Sequence, residues 1–191
     1  MLEFVRKYGW NRFSQNGEDG IIQEVINRLG LRKGVAVEFG AADGFYCSNT
    51  AALREVGWKV YMYDIDNKGN PRVEKRLIDE SNVNDLPGCD LLSIDIDGRD
   101  YGVWRAYNFK PSVVIIEINS SVDPEASGPV NSPERGTGYR PMLELGISKG
   151  YFLLCHTGNM IFIDDKYRKD FPEVAGDGFN HRNYFNRSWM R

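Results

Sequence analysis

Cysteine is scarce in this chain, and its placement limits what the protein can be. Only Cys47, Cys89 and Cys155 occur among 191 residues, and they stand far apart. An odd number of widely spaced cysteines argues against a disulfide framework, and the lack of a Cys-x-x-Cys pair argues against structural zinc. We therefore expect a protein of the reducing cytoplasm.

The sequence also lacks a long apolar run and an excess of positive charge. No uninterrupted apolar stretch approaches membrane-spanning length, and the start, Met1 to Lys7, mixes charged residues into apolar ones. A net charge of −3 gives no general attraction to nucleic acid or to an anionic membrane. With 41% hydrophobic residues, we expect one soluble, unprocessed domain over residues 1–191.

A glycine turn after an apolar strand is the first functional signal. Val35 to Phe39 runs into Gly40-Ala41-Ala42-Asp43-Gly44, and Ser48-Asn49-Thr50 then supplies a helix cap. Strand, glycine turn and helix N-terminus follow in the order that a nucleotide-type site requires. Such a turn is expected to bring bare backbone N–H groups close to a ligand. Close packing of a helix on a strand also requires small residues, so a purely structural turn is the alternative.

The residues of this turn favour one cofactor over another. Ala42 stands where a dinucleotide fingerprint has its second glycine, which disfavours NAD or FAD. A site for S-adenosylmethionine is compatible with alanine at this position, because this cofactor has no phosphate that the backbone must approach. Its ammonium can meet Glu38 or a nearby acid, and its ribose diol requires a carboxylate at the end of the next strand. Asp64 stands there, after a strand predicted from Trp58 to Tyr63.

Strands and helices alternate along the chain, which predicts an α/β, Rossmann-like, doubly wound and mostly parallel sheet. A third strand is expected to be short or missing at Ser81–Asp85, and the sheet should end in an antiparallel hairpin, the layout of class I methyltransferases. Helices are predicted after a capping box at Asn16 and Asp19, after Thr50, from Asn70-Pro71 through Val73, Leu77 and Ile78, after Gly98, and around Met142 to Ile147. The hairpin is predicted at Tyr151–His156 and Met160–Ile163.

Two segments lie outside this regular pattern. Residues 120–139 lack periodicity and are rich in Ser, Pro and Gly, which predicts a lid that is mobile without substrate, within a core of residues 14–164. Residues 165–191 mix aromatic and basic side chains and are expected to pack on the domain or on a second copy, or to face an anionic or sugar substrate.

Acidic residues gather where two predicted strands end. Asp95, Asp97 and Asp100 follow one strand, and Glu117 and Asn119 end the next. All-oxygen ligands suit Mg²⁺ or another divalent cation, so Asp95, Asp97, Glu117 and Asn119 form a candidate metal site. Crowded carboxylates require either a cation or a nearby arginine such as Arg140. The alternative is that Asp95 holds the cofactor while Asp97 and Asp100 cap the next helix.

Two motifs resemble a known family. Ile94-Asp95-Ile96-Asp97-Gly98-Arg99-Asp100 is similar to the Ile-Asp-Val-Glu-Gly-x-Glu signature of FkbM-like methyltransferases, and Val37 to Gly44 with Ser48-Asn49-Thr50 resembles that family's first motif. The resemblance implies a class I fold and S-adenosylmethionine-dependent O-methylation, often of sugars or secondary metabolites. The candidate cofactor contacts are Gln15, Glu38, Gly40, Ala42, Asp43, Gly44, Asn49, Asp64, Ile65, Asn82, Val83 and Asp95.

The expected reaction is an in-line transfer of a methyl group to a hydroxyl of a small molecule or glycan. Asp97, Glu117 and His156 are the candidate bases, with a structural role as the alternative for His156. The chain has no Asn- or Asp-Pro-Pro-aromatic motif after the fourth strand, which disfavours a nucleic-acid base as substrate. A nicotinamide-dependent reductase and a non-catalytic cofactor-binding module are the competing functions.

Overall fold

A computed structural model describes residues 1–127, 136–174 and 176–187. Seven strands form one sheet: β1 (Val35–Phe39), β2 (Lys59–Asp64), β3 (Val73–Lys75), β4 (Leu91–Ile94), β5 (Val113–Glu117), β6 (Tyr151–His156) and β7 (Asn159–Asp164). Five helices accompany them: α1 (Leu2–Tyr8), α2 (Glu18–Arg28), α3 (Ala51–Glu55), α4 (Asp100–Ala106) and α5 (Tyr139–Ser148). Within the described ranges, no helix is both long and apolar enough to cross a membrane.

The strands lie in the order β3-β2-β1-β4-β5-β7-β6. The first five pair in parallel, and β7 pairs antiparallel with both β5 and β6. Strand order reverses between β1 and β4, so a crevice opens there at the carboxyl ends of the strands. The predicted α/β, doubly wound sheet with a terminal antiparallel hairpin is confirmed.

Apolar side chains on the two faces of the sheet explain why it is covered on both sides. Leu92 of β4 faces a core that α4 and α5 complete, with Trp104 fully buried in it. The neighbouring Leu91 faces the opposite core, which α1, α2 and α3 complete. Because both faces of the central strands are covered, these strands are nearly continuous apolar runs rather than alternating ones. Burial of each such side chain contributes about 1.5–3 kcal/mol to the stability of the fold.

The predicted helix from Asn70 through Ile78 is wrong. Val73 instead begins the edge strand β3, where it pairs with Met62 of β2 and is buried. Leu77, assigned to the inner face of that helix, is 57% exposed. Apolar residues four and five positions apart resemble a helix face, but pairing with the edge of β2 determined the local structure. The third strand is therefore short, as predicted, and lies before Ser81–Asp85, where a 3₁₀ turn covers Val83–Asp85.

The predicted capping box of α2 is also absent. Gly17 precedes the helix in the left-handed region, with φ 103°, and no side chain caps the helix. The two acids of the first turn bind the preceding loop instead: Asp19 accepts from the backbone N–H of Arg12, Phe13 and Ser14, and Glu18 accepts from that of Asn16. Both carboxylates thus anchor residues 12–16 to the first turn of α2.

The two irregular segments are partly described. Residues 128–135 of the predicted lid lie outside the described residues, whereas Ser120 and Thr137 are buried and Tyr139 begins α5. After β7, 3₁₀ helices cover Asp165–Asp170 and His181–Asn183. Phe171 between them is fully buried against Phe152, so this part of the tail packs on the domain.

Candidate active site

A cavity of about 600 Å³ lies at the carboxyl-terminal edge of the sheet, where the strand order reverses. This volume is in the range of small-molecule sites. Six of the residues predicted to bind a cofactor or a metal line the cavity: Gly40, Ala42, Asp64, Ile65, Asp95 and Asp97. The sheet therefore brings the glycine turn, the end of β2 and the end of β4 to one opening.

Close contact between two chain segments shapes the glycine turn. Gly40 has φ 79°, and a Cβ atom there would stand 1.5 Å from the carbonyl oxygen of Asp95. Only glycine fits at this approach. On the other side, the N–H groups of Gly40 and Ala41 both donate to the carbonyl oxygen of Tyr63, at 2.9 and 3.2 Å. The turn is held between the ends of β2 and β4.

The sequence predicts a turn that presents N–H groups without partners in the protein. This expectation is wrong for Gly40, Ala41, Ala42 and Gly44, whose N–H groups all donate within the protein. Besides Gly40 and Ala41, Ala42 donates its N–H to Asp64 Oδ2 at 2.7 Å, and Gly44 donates to the carbonyl oxygen of Ala41 at 2.6 Å. Ala42 reaches this geometry with φ 44°, in the left-handed region. The donors that would bind a pyrophosphate are already used within the protein.

Asp64 ends β2 with its carboxylate on the cavity wall. Its Oδ1 accepts from the N–H of Asp66 at 2.8 Å, while Oδ2 accepts from Ala42. Each carboxylate oxygen retains capacity for a further donor. Ile65 follows with 63% of its surface exposed at the same opening. A carboxylate beside an exposed aliphatic side chain suits a ribose diol next to a flat base.

Glu38 is buried behind the cavity and does not line it. Its carboxylate accepts hydrogen bonds from Ser48 Oγ (2.7 Å), the N–H of Asn49 (2.8 Å) and Thr50 Oγ1 (2.6 Å). Burial raises the pKa of this carboxyl, and the three donors oppose that rise. Glu38 thus fixes the start of α3 and the loop that leads to it.

Three carboxylates converge beside the cavity. Asp95, Asp97 and Glu117 each place an oxygen within 4.8 Å of the others. Burial, followed by the neighbouring carboxylates, raises the pKa of Asp95, and the same two causes raise the pKa of Glu117. A hydrogen bond between these two side chains requires a proton on one of them, and the raised pKa values of both favour that protonated pair. Asp97 holds its position with φ 53°, which Asp tolerates better than most residues.

The neighbouring acid Asp100 has a different task. Its buried carboxylate accepts from the N–H of Ile96 at 2.9 Å and of Gly98 at 3.0 Å. It thereby closes the loop that presents Asp97. The alternative in which Asp97 and Asp100 cap the next helix is wrong, because Arg99 is the N-cap of α4 and no side chain caps that helix. Arg140, considered as a counter-ion for the cluster, instead pairs with Glu125 and Glu144 at 2.9 and 3.5 Å.

His156 ends β6 at the same edge of the sheet, but it does not line the cavity. Its Nδ1 accepts from the N–H of Asn186 at 3.2 Å, and its Nε2 lies 2.9 Å from Ser120 Oγ. Burial lowers the pKa of His156 to about 4. A neutral ring with both nitrogens bonded is a poor base, so the structural alternative fits this residue better.

The remaining predicted contacts stand away from the cavity wall; they are Gln15, Asp43, Gly44, Asn49, Asn82, Val83, Glu117 and Asn119. Asp43 accepts from the N–H of Phe45 and Tyr46 and so shapes the loop, while Asn49 donates to Ser93 Oγ. Asn82 donates to the carbonyl oxygen of Leu77. Asn82 thereby holds the backbone of a residue that lines the cavity.

Several lining residues escaped the sequence analysis. Tyr46 is 76% exposed at the opening, and Cys47 and Arg99 also line it. Tyr46 and Cys47 follow the glycine turn within three residues, and this position in the sequence was the available signal. Glu18 is fully buried at the same sheet edge, where its Oε1 accepts from Thr157 Oγ1 at 2.6 Å.

Comparisons with known proteins give structural likenesses only. No protein-family model matches the chain, and no curated protein matches its sequence. The FkbM-like resemblance therefore stays a prediction. The sheet order with its terminal antiparallel hairpin defines a class I methyltransferase fold.

Solved structures of similar architecture share little sequence with the chain. One is the 1,6-didemethyltoxoflavin-N1-methyltransferase of Burkholderia thailandensis with bound 1,6-didemethyltoxoflavin and S-adenosylhomocysteine, at 17% identity, covering 85% of this chain and 86% of that one, with a TM-score of 0.47. Another is the magnesium protoporphyrin IX methyltransferase of Synechocystis PCC 6803 with bound S-adenosylhomocysteine, at 13% identity, 84% and 92% coverage and a TM-score of 0.49.

Proposed function

We propose that the chain is an S-adenosylmethionine-dependent O-methyltransferase acting on a hydroxyl of a sugar, glycan or secondary metabolite. The observation that carries the proposal is the use of Asp64. Its carboxylate accepts a hydrogen bond from the Ala42 N–H and lines the cavity. The cavity therefore offers a hydrogen-bond acceptor for ribose hydroxyls at a place where a dinucleotide site would offer N–H donors for phosphate.

The cavity wall divides into parts that match the parts of this cofactor. Asp64 would accept from the ribose hydroxyls, and the apolar surface of Ile65, Leu77 and Ile78 would cover the adenine. At the other end, Asp95 would meet the ammonium group, because Glu38 is already enclosed by its own three donors. Negative charge at this end also favours a sulfonium.

When bound, S-adenosylmethionine supplies an electrophilic methyl group on sulfur. The chain would orient the acceptor hydroxyl and take its proton at an oxygen of the acid cluster. Asp97 is the better base, since it is exposed and lines the cavity, whereas Glu117 shares its proton with Asp95. His156 would take no part in proton transfer.

A divalent cation such as Mg²⁺ is a further part of the proposal. Asp95, Asp97 and Glu117 offer three carboxylate oxygens close together, a hard-ligand set that suits this ion. The amide of Asn119 already accepts from the N–H and hydroxyl of Ser121, which weakens its claim as a fourth ligand. A cation held there would lower the pKa of an acceptor hydroxyl.

The competing functions lose support from the same geometry. A nicotinamide-dependent reductase requires turn donors for a pyrophosphate, and the four N–H groups described above are internally bonded. A binding module without turnover would not require three carboxylates that converge beside the cavity. We further propose a cytoplasmic location, a small-molecule or glycan partner, and self-association through the tail at residues 165–191.

Titration calorimetry with S-adenosylhomocysteine and, separately, NADH tests the cofactor. We expect binding of the first at micromolar or tighter affinity and no heat from the second; the reverse would establish the reductase. A second assay offers S-adenosylmethionine with a library of sugars and phenols and detects methylated product by mass spectrometry. Binding of S-adenosylhomocysteine together with inactivity on every hydroxyl acceptor would favour the binding module.

A further inference from the structure

We propose that His156 is a positioning residue that joins the C-terminal segment, residues 177–187, to the loop of residues 119–127, which we call the acceptor loop. The inference rests on the proposed function in one respect: it takes the region beside the three carboxylates of Asp95, Asp97 and Glu117 as the place of the methyl acceptor. Through His156, the tail would hold this loop beside the acid cluster.

The contact between Nδ1 of His156 and the backbone N–H of Asn186, at 3.2 Å, favours one tautomer of the ring. The backbone N–H of Asn186 can only donate, so Nδ1 accepts and carries no hydrogen. In the neutral ring the hydrogen therefore sits on Nε2, which donates to Ser120 Oγ at 2.9 Å. One ring thus accepts a hydrogen bond from the tail and donates one to the loop at the same time. Moving the hydrogen to the other ring nitrogen would break the bond to the tail.

Ring contacts fix His156 in this orientation. Phe185 stacks on it with ring centroids 4.8 Å apart and planes inclined by 10°. Tyr139, at the start of α5, meets both rings edge-on, at 6.3 Å from His156 and 5.6 Å from Phe185. Tyr139 in turn donates its hydroxyl to the carbonyl oxygen of Gly178 at 2.9 Å. The tail is therefore bound to a buried aromatic cluster and not only to the surface.

The same tail makes further contacts along the acceptor loop. His181 Nδ1 lies 2.6 Å from Glu125 Oε1, and Arg187 Nη2 donates to the carbonyl oxygen of Val122 at 3.3 Å. Together with the bond to Ser120, these contacts are spread along the acceptor loop from residue 120 to residue 125. A loop with so little core of its own depends on such external bonds for its position.

The position of Ser120 matters because the acid cluster is three residues away. Glu117 ends β5, and Asn119 between them donates its N–H to the carbonyl oxygen of Thr137 at 2.9 Å. Loss of the His156 bond would free Ser120 and loosen this short connection. The expected result is a misplaced acceptor, with the adenosine side of the cavity unchanged, since Asp64 and Ile65 lie on the other half of the sheet.

A matched pair of variants tests the tail contact. Asn186→Pro removes the N–H that His156 accepts, whereas Asn186→Ala keeps it. Ser120→Ala removes the partner on the loop and serves if the proline variant fails to fold. Hydrogen exchange read by mass spectrometry should show residues 119–127 exchanging at least about tenfold faster in Asn186→Pro and Ser120→Ala, the effect of one lost hydrogen bond, but not in Asn186→Ala.

Nitrogen-15 NMR reads directly the ring tautomer that the contact with Asn186 requires. The chain has only two histidines, so the ring signals of His156 and His181 can be told apart by variants. His156 should show the Nε2–H tautomer and stay neutral down to about pH 4 in the wild type. Loss of the Asn186 N–H should let the ring exchange between tautomers.

The outcomes separate this inference from the proposed function. S-adenosylhomocysteine affinity should change less than about twofold in Asn186→Pro and Ser120→Ala, while methyl transfer falls about tenfold or more. If the wild type does not bind S-adenosylhomocysteine, the proposed function fails, yet the exchange and tautomer results can still be read. Equal loop exchange in Asn186→Pro and Asn186→Ala, or an Nδ1–H tautomer, would overturn the positioning role.

Discussion

The carbonyl oxygen of Asp95 occupies the space that a Cβ atom on Gly40 would need, at 1.5 Å from it. The N–H of Asp95 donates to the carbonyl oxygen of Phe39 at 3.0 Å, so the ladder between β1 and β4 continues up to this contact. The glycine is therefore required by the approach of two strand ends. A ligand in the cavity therefore contacts a turn whose conformation is already fixed by contacts within the protein.

Gly40→Ala should be among the most destabilising substitutions in the chain. The added methyl group collides with backbone rather than with a movable side chain, and we expect loss of more than about 4 kcal/mol of unfolding free energy in urea denaturation. Gly30→Ala is the matched control: Gly30 also has a left-handed φ, 68°, but its Cβ would meet no atom within 4 Å. It should cost only about 1–2 kcal/mol. Similar losses in both variants would mean that the strand ends can separate.

Asp64→Ala should weaken S-adenosylhomocysteine binding by about 1–3 kcal/mol in calorimetry, the scale of hydrogen bonds to a charged group. The reason is the loss of the ribose acceptor, together with loosening of Ala42. Asp66→Ala is the control, because Asp66 lines the same cavity but binds Lys68 at 2.7 Å. A larger loss in Asp66→Ala than in Asp64→Ala would assign the ribose to Asp66.

Periodicity and turn chemistry predicted most of the fold. Buried parallel strands such as β4 and β5 are short apolar runs ended by acids or glycine, and these signals are local. The one helix assigned wrongly, at residues 70–78, shows the limit. Whether Val73 joins a helix or an edge strand depends on its pairing with Met62, eleven residues earlier, which no local pattern records.

The site could be located but not fully built from the sequence. Asp64 and Asp95 both line the cavity, because the parallel strands that they follow end at one edge of the sheet. The enclosure of Glu38 by Ser48 and Thr50 could not be foreseen, since it depends on how the loop folds back over β1. The same holds for the tail bond to His156, which joins residues 30 positions apart.

The paired acids should make stability fall as pH rises. Asp95 and Glu117 have raised pKa values in the folded protein. In the unfolded chain, both carboxyls lose their protons at about pH 4. Between that pH and neutral pH, the folded state therefore binds more protons than the unfolded state. The free energy of unfolding therefore decreases with rising pH, by about 1.4 kcal/mol for each unit of pKa difference. Glu117→Gln should flatten this slope in urea denaturation at several pH values.

The matched control for this substitution is Glu3→Gln, which removes an exposed glutamate from α1. It should leave the pH slope of the wild type unchanged. If Glu117→Gln also leaves the slope unchanged, the two acids do not share a proton, and the cluster is solvated more fully than its burial indicates.

Metal binding is the last prediction, and it follows from the same shared proton. An ion held by Asp95, Asp97 and Glu117 must displace that proton, so Mn²⁺ or Mg²⁺ binding should release it and give a calorimetric enthalpy that depends on the buffer. Added ion at a hundredfold excess over its dissociation constant should stabilise the protein by about 2.7 kcal/mol. Asp97→Asn keeps a residue that tolerates the positive φ but removes a charged ligand, and it should abolish both effects. Glu3→Gln should retain them. If neither ion binds, and turnover survives exhaustive chelation, the cluster works as a proton-sharing acid pair alone and Asp97 becomes the sole candidate for the base among the three acids.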